Sequence, residues 1–250
     1  MKTMILALAL SAPLSVALAP PVAAQQAALP ELPEAQRASA ATALAFAQVY
    51  QPAELVTGTA VEVARKAFTD ATKADPNSAR MEQQLPGVTA AVSSAVGRTV
   101  AAVYGRELPK SHAAIADLTR RYLTEGELTE VINFYRSPAG QATLRAVLGT
   151  LDTSGIEEKY NRDADTQLTK EDLQGAIQPT FLGKLTPDEV SSVSRFMTSR
   201  TGRKFSRLAP ALGEVVAQQV NQIVAAGQGE VQEAVLQTVR GYAAKRNGGK

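Results

Sequence analysis

The sequence predicts an all-α protein, an irregular helical bundle containing two helix-corner-helix repeats. Three observations carry that expectation. Apolar residues recur at spacings of three and four through Ala- and Gln-rich segments along most of the chain. No sustained alternation of β-branched and polar residues marks a strand. Two stretches, beginning at Leu123 and Leu185, open with the same helix-capping residues and close with the same corner residues.

Composition sets the outer bounds. With 250 residues, 45% of them hydrophobic and 20% charged, the chain can bury a sizeable core and is too apolar for a disordered tail. The absence of cysteine excludes disulfides, thiolate metal sites and a cysteine nucleophile. His112 is the single histidine, so no site can use two imidazoles. Aromatic residues make up 5% and tryptophan is absent, which leaves few platforms for stacking bases or sugars. A net charge of +2 from interspersed charges points away from nucleic acid as a partner. The basic end, Lys245-Arg246 and Lys250, reads as a soluble terminus.

Residues 1–24 read as an export signal. Lys2 supplies a short positive end, Ile5 to Ala19 carry no charge, and Val22-Ala23-Ala24 place small residues before Gln25. Pro13, Pro20 and Pro21 interrupt the apolar run, which favours cleavage over a membrane anchor. No cysteine stands at the cleavage point, so a lipoprotein-type anchor is not expected. Cleavage would remove Lys2 and no acid, leaving 226 residues and a net charge of +1. The expectation is a periplasmic or secreted protein with no membrane span after cleavage.

Beyond the leader, a flexible linker (25–33) holds Pro30 and Pro33. The N-terminal helical region (34–108) begins with a candidate helix from Glu34 to Tyr50. Pro52-Ala53-Glu54 opens a second helix, with Val61, Ala64 and Phe68 on one face. Asp75-Pro76-Asn77-Ser78 is a turn. Pro86 starts a helix in which Val88, Val92, Val96 and Val100 recur at every fourth position, continued by Val103 and Tyr104. Ala91, Ser93, Ser94, Ala95 and Gly97 between them admit a close neighbour. Pro109 is expected to begin a further helix, with His112 exposed in its first turn. No acidic or nucleophilic partner stands near that histidine in sequence, so it is not read as a general base.

The first repeat (109–152) and the second (185–227) share their mechanics. Thr124 and Thr186 are N-caps, and Glu127 and Glu189 stand three residues later, completing capping boxes. Leu128, Val131, Ile132 and Tyr135 form an apolar stripe, matched by Val190, Val193 and Met197. Ser137 and Ser199 end the first helices and cap the second ones. Pro138 takes the first position of the next helix. Gly140 and Gly202 allow a close approach at each corner. The second helices carry Leu144, Val147, Leu148 and Leu151 in one copy and Phe205, Leu208, Leu212 and Val216 in the other. A connecting segment (153–184) separates the copies, and a C-terminal helix with a basic tail (228–250) follows.

The first copy, Leu123-Thr-x-x-Glu-Leu…Phe134-Tyr135-x-Ser137-Pro138-x-Gly140-Gln141, resembles the signature of the bacterial family called domain of unknown function 2059. The resemblance spans about residues 115 to 150. The second copy departs from it at Met197, Arg200 and Thr201. The family consists of exported helical proteins without an established activity. The resemblance therefore implies a fold and a compartment, and brings no catalytic residues.

Tyr160 to Leu173 has the outline of an EF-hand calcium loop. Asn161, Asp163 and Asp165 would supply the first three ligands, Gln167 a backbone carbonyl, and Asp172 the closing carboxylate. Asn161 replaces the usual Asp, Thr166 stands where glycine is expected, and Asp172 is shorter than the usual Glu. The competing reading is a polar linker in which Thr169 and Asp172 cap the next helix.

Every strongly patterned residue thus has a folding explanation, and none is assigned to catalysis or to a cofactor. The first functional expectation is an exported, non-enzymatic envelope protein acting through helix-face contacts with another envelope protein or with the envelope itself. An envelope enzyme acting on a cell-wall polymer through Glu127 and Glu189 is the alternative, and weak calcium binding a third. The sequence names no specific ligand and no oligomeric state.

Overall fold

The computed structural model describes residues 29–163, 166–177 and 179–247; the expected leader lies outside the described residues. They form ten α-helices, and no strand occurs among them. The helices are α1 (Ala40–Tyr50), α2 (Ala53–Ala74), α3 (Pro76–Gln84), α4 (Val88–Tyr122), α5 (Glu125–Arg136), α6 (Pro138–Leu148), α7 (Ser154–Arg162), α8 (Lys170–Ala176), α9 (Pro187–Thr198) and α10 (Arg200–Asn247). The all-α expectation holds.

The two longest helices form the axis. α4 has 35 residues, about 52 Å at the standard rise, and α10 runs antiparallel beside it. Gly87 lies against Tyr242, and Arg106 of α4 binds Glu230 of α10 at 2.7 Å. α1 and then α2 run back along α4. Ala38 donates to the Leu123 carbonyl near one end of α4, Gln51 meets Ser111 and His112 midway, and Arg65 covers Gly97 farther along. The valine stripe expected from sequence is the seam: Val88, Val92, Val96, Val100 and Val103 are all buried. Phe46 and Tyr50 of α1, Tyr135 of α5 and Phe205 of α10 meet edge-on or stacked, with ring centroids 5.2 to 6.5 Å apart.

Local chemistry explains the starts of these helices. Ser39 caps α1, so the candidate from Glu34 becomes a 3-10 turn (Glu34–Gln36) followed by α1. Gly87 precedes α4 with a φ of 86°, a conformation that costs any side-chain-bearing residue. Glu82 accepts from the N–H groups of Gly87 and Thr89 at 2.6 and 3.1 Å, capping α4 from the preceding helix.

Pro109 does not begin a helix; it lies inside α4, as Pro210 lies inside α10. A proline there forfeits one hydrogen bond and crowds the preceding turn, at about 3 kcal/mol. Packing on both sides outweighs that cost. Val103, Tyr104 and Leu108 are buried before Pro109, and Ser111, His112 and Ile115 after it. His112 is accordingly not exposed. It retains 7% exposure, and its Nε2 lies 2.9 Å from the Gln51 carbonyl, which can only accept, so Nε2 carries the hydrogen. Burial lowers the pKa of His112, partly opposed by that hydrogen bond. The expected boundaries at 108/109 and 227/228 both fall within continuous helices.

Candidate functional site

Two helix corners share one local design, and the second of them opens the helix that carries the site. Thr124 Oγ1 accepts from Glu127 N, and Glu127 accepts from Thr124 N at 3.0 Å; Thr186 and Glu189 repeat the arrangement, at 2.7 Å for the return bond. Ser137 Oγ accepts from Gly140 N at 3.1 Å, and Ser199 Oγ from Gly202 N at 2.9 Å. A side chain at Gly140 would run into the Phe134 carbonyl, and one at Gly202 into that of Phe196. The glycines therefore admit the last turn of their own preceding helix, not a third helix. Phe134 and Phe196, at equivalent positions of the two units, stack face to face with centroids 4.1 Å apart and planes 5° apart.

Between the start of α5, the first two turns of α10 and the chain entering α1 lies a groove of about 390 Å³. Its walls are Leu29, Pro30 and Leu32 on one side, Glu127 at the start of α5, and Arg200, Arg203, Lys204 and Arg207 of α10. The four cations fall at i, i+3, i+4 and i+7, one face of the first two turns. The opposite face carries Phe205, Leu208 and Leu212 into the core. That amphipathic split points the cations outward. Lys204 Nζ binds Glu127 Oε2 at 2.6 Å, with both side chains mostly covered. Burial alone would raise the pKa of Glu127, but the Lys204 ammonium and the Thr124 N–H outweigh it and hold it below the ordinary value. Arg203 donates to the Thr198 carbonyl. No carboxylate among the described residues pairs with Arg200, Arg203 or Arg207, and all three are exposed.

The cations were visible in sequence as Arg200-x-x-Arg-Lys-x-x-Arg207. That Leu29, Pro30, Leu32 and Glu127 would enclose them was not, because those residues come from distant parts of the chain. Glu127 and Glu189 each serve their own helix start, and only Glu127 lines the groove.

The structure describes part of the expected calcium loop. Asn161 belongs to the last turns of α7, and Asp163 is the residue that ends it. Asp165 and the side chain of Asn161 lie outside the described residues. Lys159 Nζ donates to the Gln167 carbonyl at 3.1 Å and to Asp172 Oδ2 at 2.6 Å, so an ammonium joins two of the groups expected to hold the ion. Asp172 also accepts from Thr169 N at 2.7 Å and forms a capping box for α8. Leu168 exchanges two hydrogen bonds of 2.9 Å with Asn221, which fastens the segment to α10. No group of three or more His, Asp and Glu side chains suited to a metal occurs among the described residues.

The segment from the second half of α4 through α6 is similar to a known family. Residues 112–148 match the family described as an uncharacterized protein conserved in bacteria, DUF2059. The match stops where α6 stops, so the second corner unit and the cationic turns of α10 lie beyond it. No curated protein and no solved structure matches the chain. No described helix is long and apolar enough to cross a membrane.

Proposed function

We propose that the protein is an exported, non-enzymatic binding protein of the bacterial envelope, and that it meets its partner through the groove at the start of α10. The observation that carries this reading is the concentration of unpaired positive charge in that groove. Elsewhere, the polar residues with a strong pattern are occupied by capping and ion pairing. His112 is buried against the Gln51 carbonyl, which removes the natural general base from the surface. The leader-like residues 1–24 and the match to a bacterial family support the compartment. An enzyme working through Glu127 and Glu189 would need both carboxylates in one cleft, and their separate capping roles weigh against that alternative.

The test is export followed by contact mapping. Expressed with its leader in a Gram-negative host, the protein should be recovered from the periplasm with a mass that begins at Gln25. A photo-cross-linker at position 207 should trap an envelope component in intact cells, and Arg200→Gln with Arg203→Gln should remove the adduct. Retention of the uncleaved chain in the cytoplasm, or adducts indifferent to those arginines, would refute the reading.

A further inference from the structure

We propose that this groove takes a ligand bearing two or more phosphate groups, gripped by Arg200, Arg203 and Arg207. The inference rests on reading the groove as the contact site and adds the chemistry of what it holds. Lys204 is already neutralised by Glu127 at 2.6 Å, which leaves three guanidinium groups facing the cavity. One carboxylate would offset a single charge. A phosphate monoester brings about −1.5 to −2 at neutral pH, so a pair of them matches three arginines. Guanidinium also offers the planar fork that phosphate accepts in a two-pronged manner.

Spacing favours an extended anion over a single ion. Arg200 and Arg207 are seven residues apart on one helix face, about 10 Å along the axis. Linked phosphates can lie along the whole stripe, whereas a lone phosphate would have to draw like-charged guanidinium groups together. The volume of about 390 Å³ falls within the range, roughly 300–1,000 Å³, of sites for small molecules. Leu29, Pro30 and Leu32 supply an apolar wall opposite the cations, so either a free oligophosphate or a phosphate-bearing lipid headgroup suits the chemistry.

The arrangement is unfavourable without a ligand. Cations in the opening turns of a helix oppose the positive end of its dipole, and α10 has no acid in its first turn to relieve them. The arginines are exposed and contribute nothing to the core, and the bond from Arg203 to the Thr198 carbonyl lies in solvent, where water can replace it. Removing their charge should therefore leave the free protein at least as stable, while abolishing binding. That divergence separates a binding role from a structural one.

Thermal unfolding with tripolyphosphate at low ionic strength makes the test. At a hundredfold excess over Kd, the protein should gain about 5–10 °C in Tm. The R200Q/R203Q/R207Q variant, which keeps the Lys204–Glu127 pair, should show an unchanged or higher Tm alone. Its affinity should fall roughly 10- to 100-fold. Flotation with phosphatidylcholine vesicles, with and without phosphatidic acid, distinguishes the sources: vesicle binding identifies a lipid phosphate, and tripolyphosphate binding alone a soluble one. No Tm gain and no flotation overturns the proposal, as does an equal gain from sodium chloride at matched ionic strength. So does an unimpaired triple variant. Phosphate binding by a protein that is not exported would refute the envelope reading and leave this one standing. Groove-dependent cross-links without any response to phosphate would do the reverse.

Discussion

In the first corner unit, α5 turns into α6 at Ser137-Pro138, and α6 ends after 11 residues. In the second, α9 turns into α10 at Ser199-Arg200, and α10 continues for 48. The capping boxes, the serine bonds and the glycine contacts coincide. What stands on the outer face of the following helix differs at three of four positions, an arginine being shared at the last. Pro138, Gln141, Ala142 and Arg145 occupy the positions that Arg200, Arg203, Lys204 and Arg207 hold in the second unit. The corner is a local device whose parts must all be present to turn the chain. The outer face carries no such requirement, and in the second unit it forms a charged groove wall.

The largest expected effect tests whether the corners are mechanically equivalent. Gly140→Ala and Gly202→Ala should each cost about 3 kcal/mol in urea unfolding, because the new methyl meets a backbone carbonyl that cannot withdraw. A loss below about 1 kcal/mol at either site would show that its corner opens easily. Next come the stacked rings. Phe134→Ala should cost about 3 kcal/mol and the half-buried Phe196→Ala less. A double-mutant cycle should return a coupling of about 0.5–1.5 kcal/mol between them. Additive losses would mean the two units do not lean on each other there.

The caps come third. Thr124→Ala and Thr186→Ala should each lose about 1 kcal/mol. Glu127→Gln should cost more than Glu189→Gln, since only Glu127 also receives Lys204. Acid titration sharpens the point. The lowered pKa of Glu127 contributes stability that is present above the ordinary glutamate value of about 4.3 and is lost as pH falls through the folded value. Glu127→Gln should therefore unfold with a shallower dependence on pH in the acid range. An identical slope would show that the Lys204 pair adds nothing.

The smallest effect concerns an asymmetry in the core. Tyr135 is fully buried, and its hydroxyl finds no hydrogen-bond partner among the described residues, while the equivalent position of the second unit is Met197. Tyr135→Phe should be neutral or stabilise by up to about 1 kcal/mol. A loss greater than that would reveal a partner for the hydroxyl.

The helical class, the caps and the corners could be read from the sequence because each depends on residues within about a turn of one another. Thr124 with Glu127, Ser137 with Pro138, and the recurrence of Val88 to Val100 are of this kind. Other features depend on what lies across the molecule. Pro109 and Pro210 look like helix breaks until neighbouring helices bury the turns on either side. His112 reads as exposed until α4 passes through Pro109 and brings it under Gln51. Asp172 reads in sequence as an ion ligand or a helix cap, and only the structure brings Lys159 to it; four cations on α10 become a groove only when Leu29, Pro30, Leu32 and Glu127 close over them. Short-range hydrogen bonds determine helix and turn; burial and long-range charge pairing, which no local window contains, decide where the chemistry is.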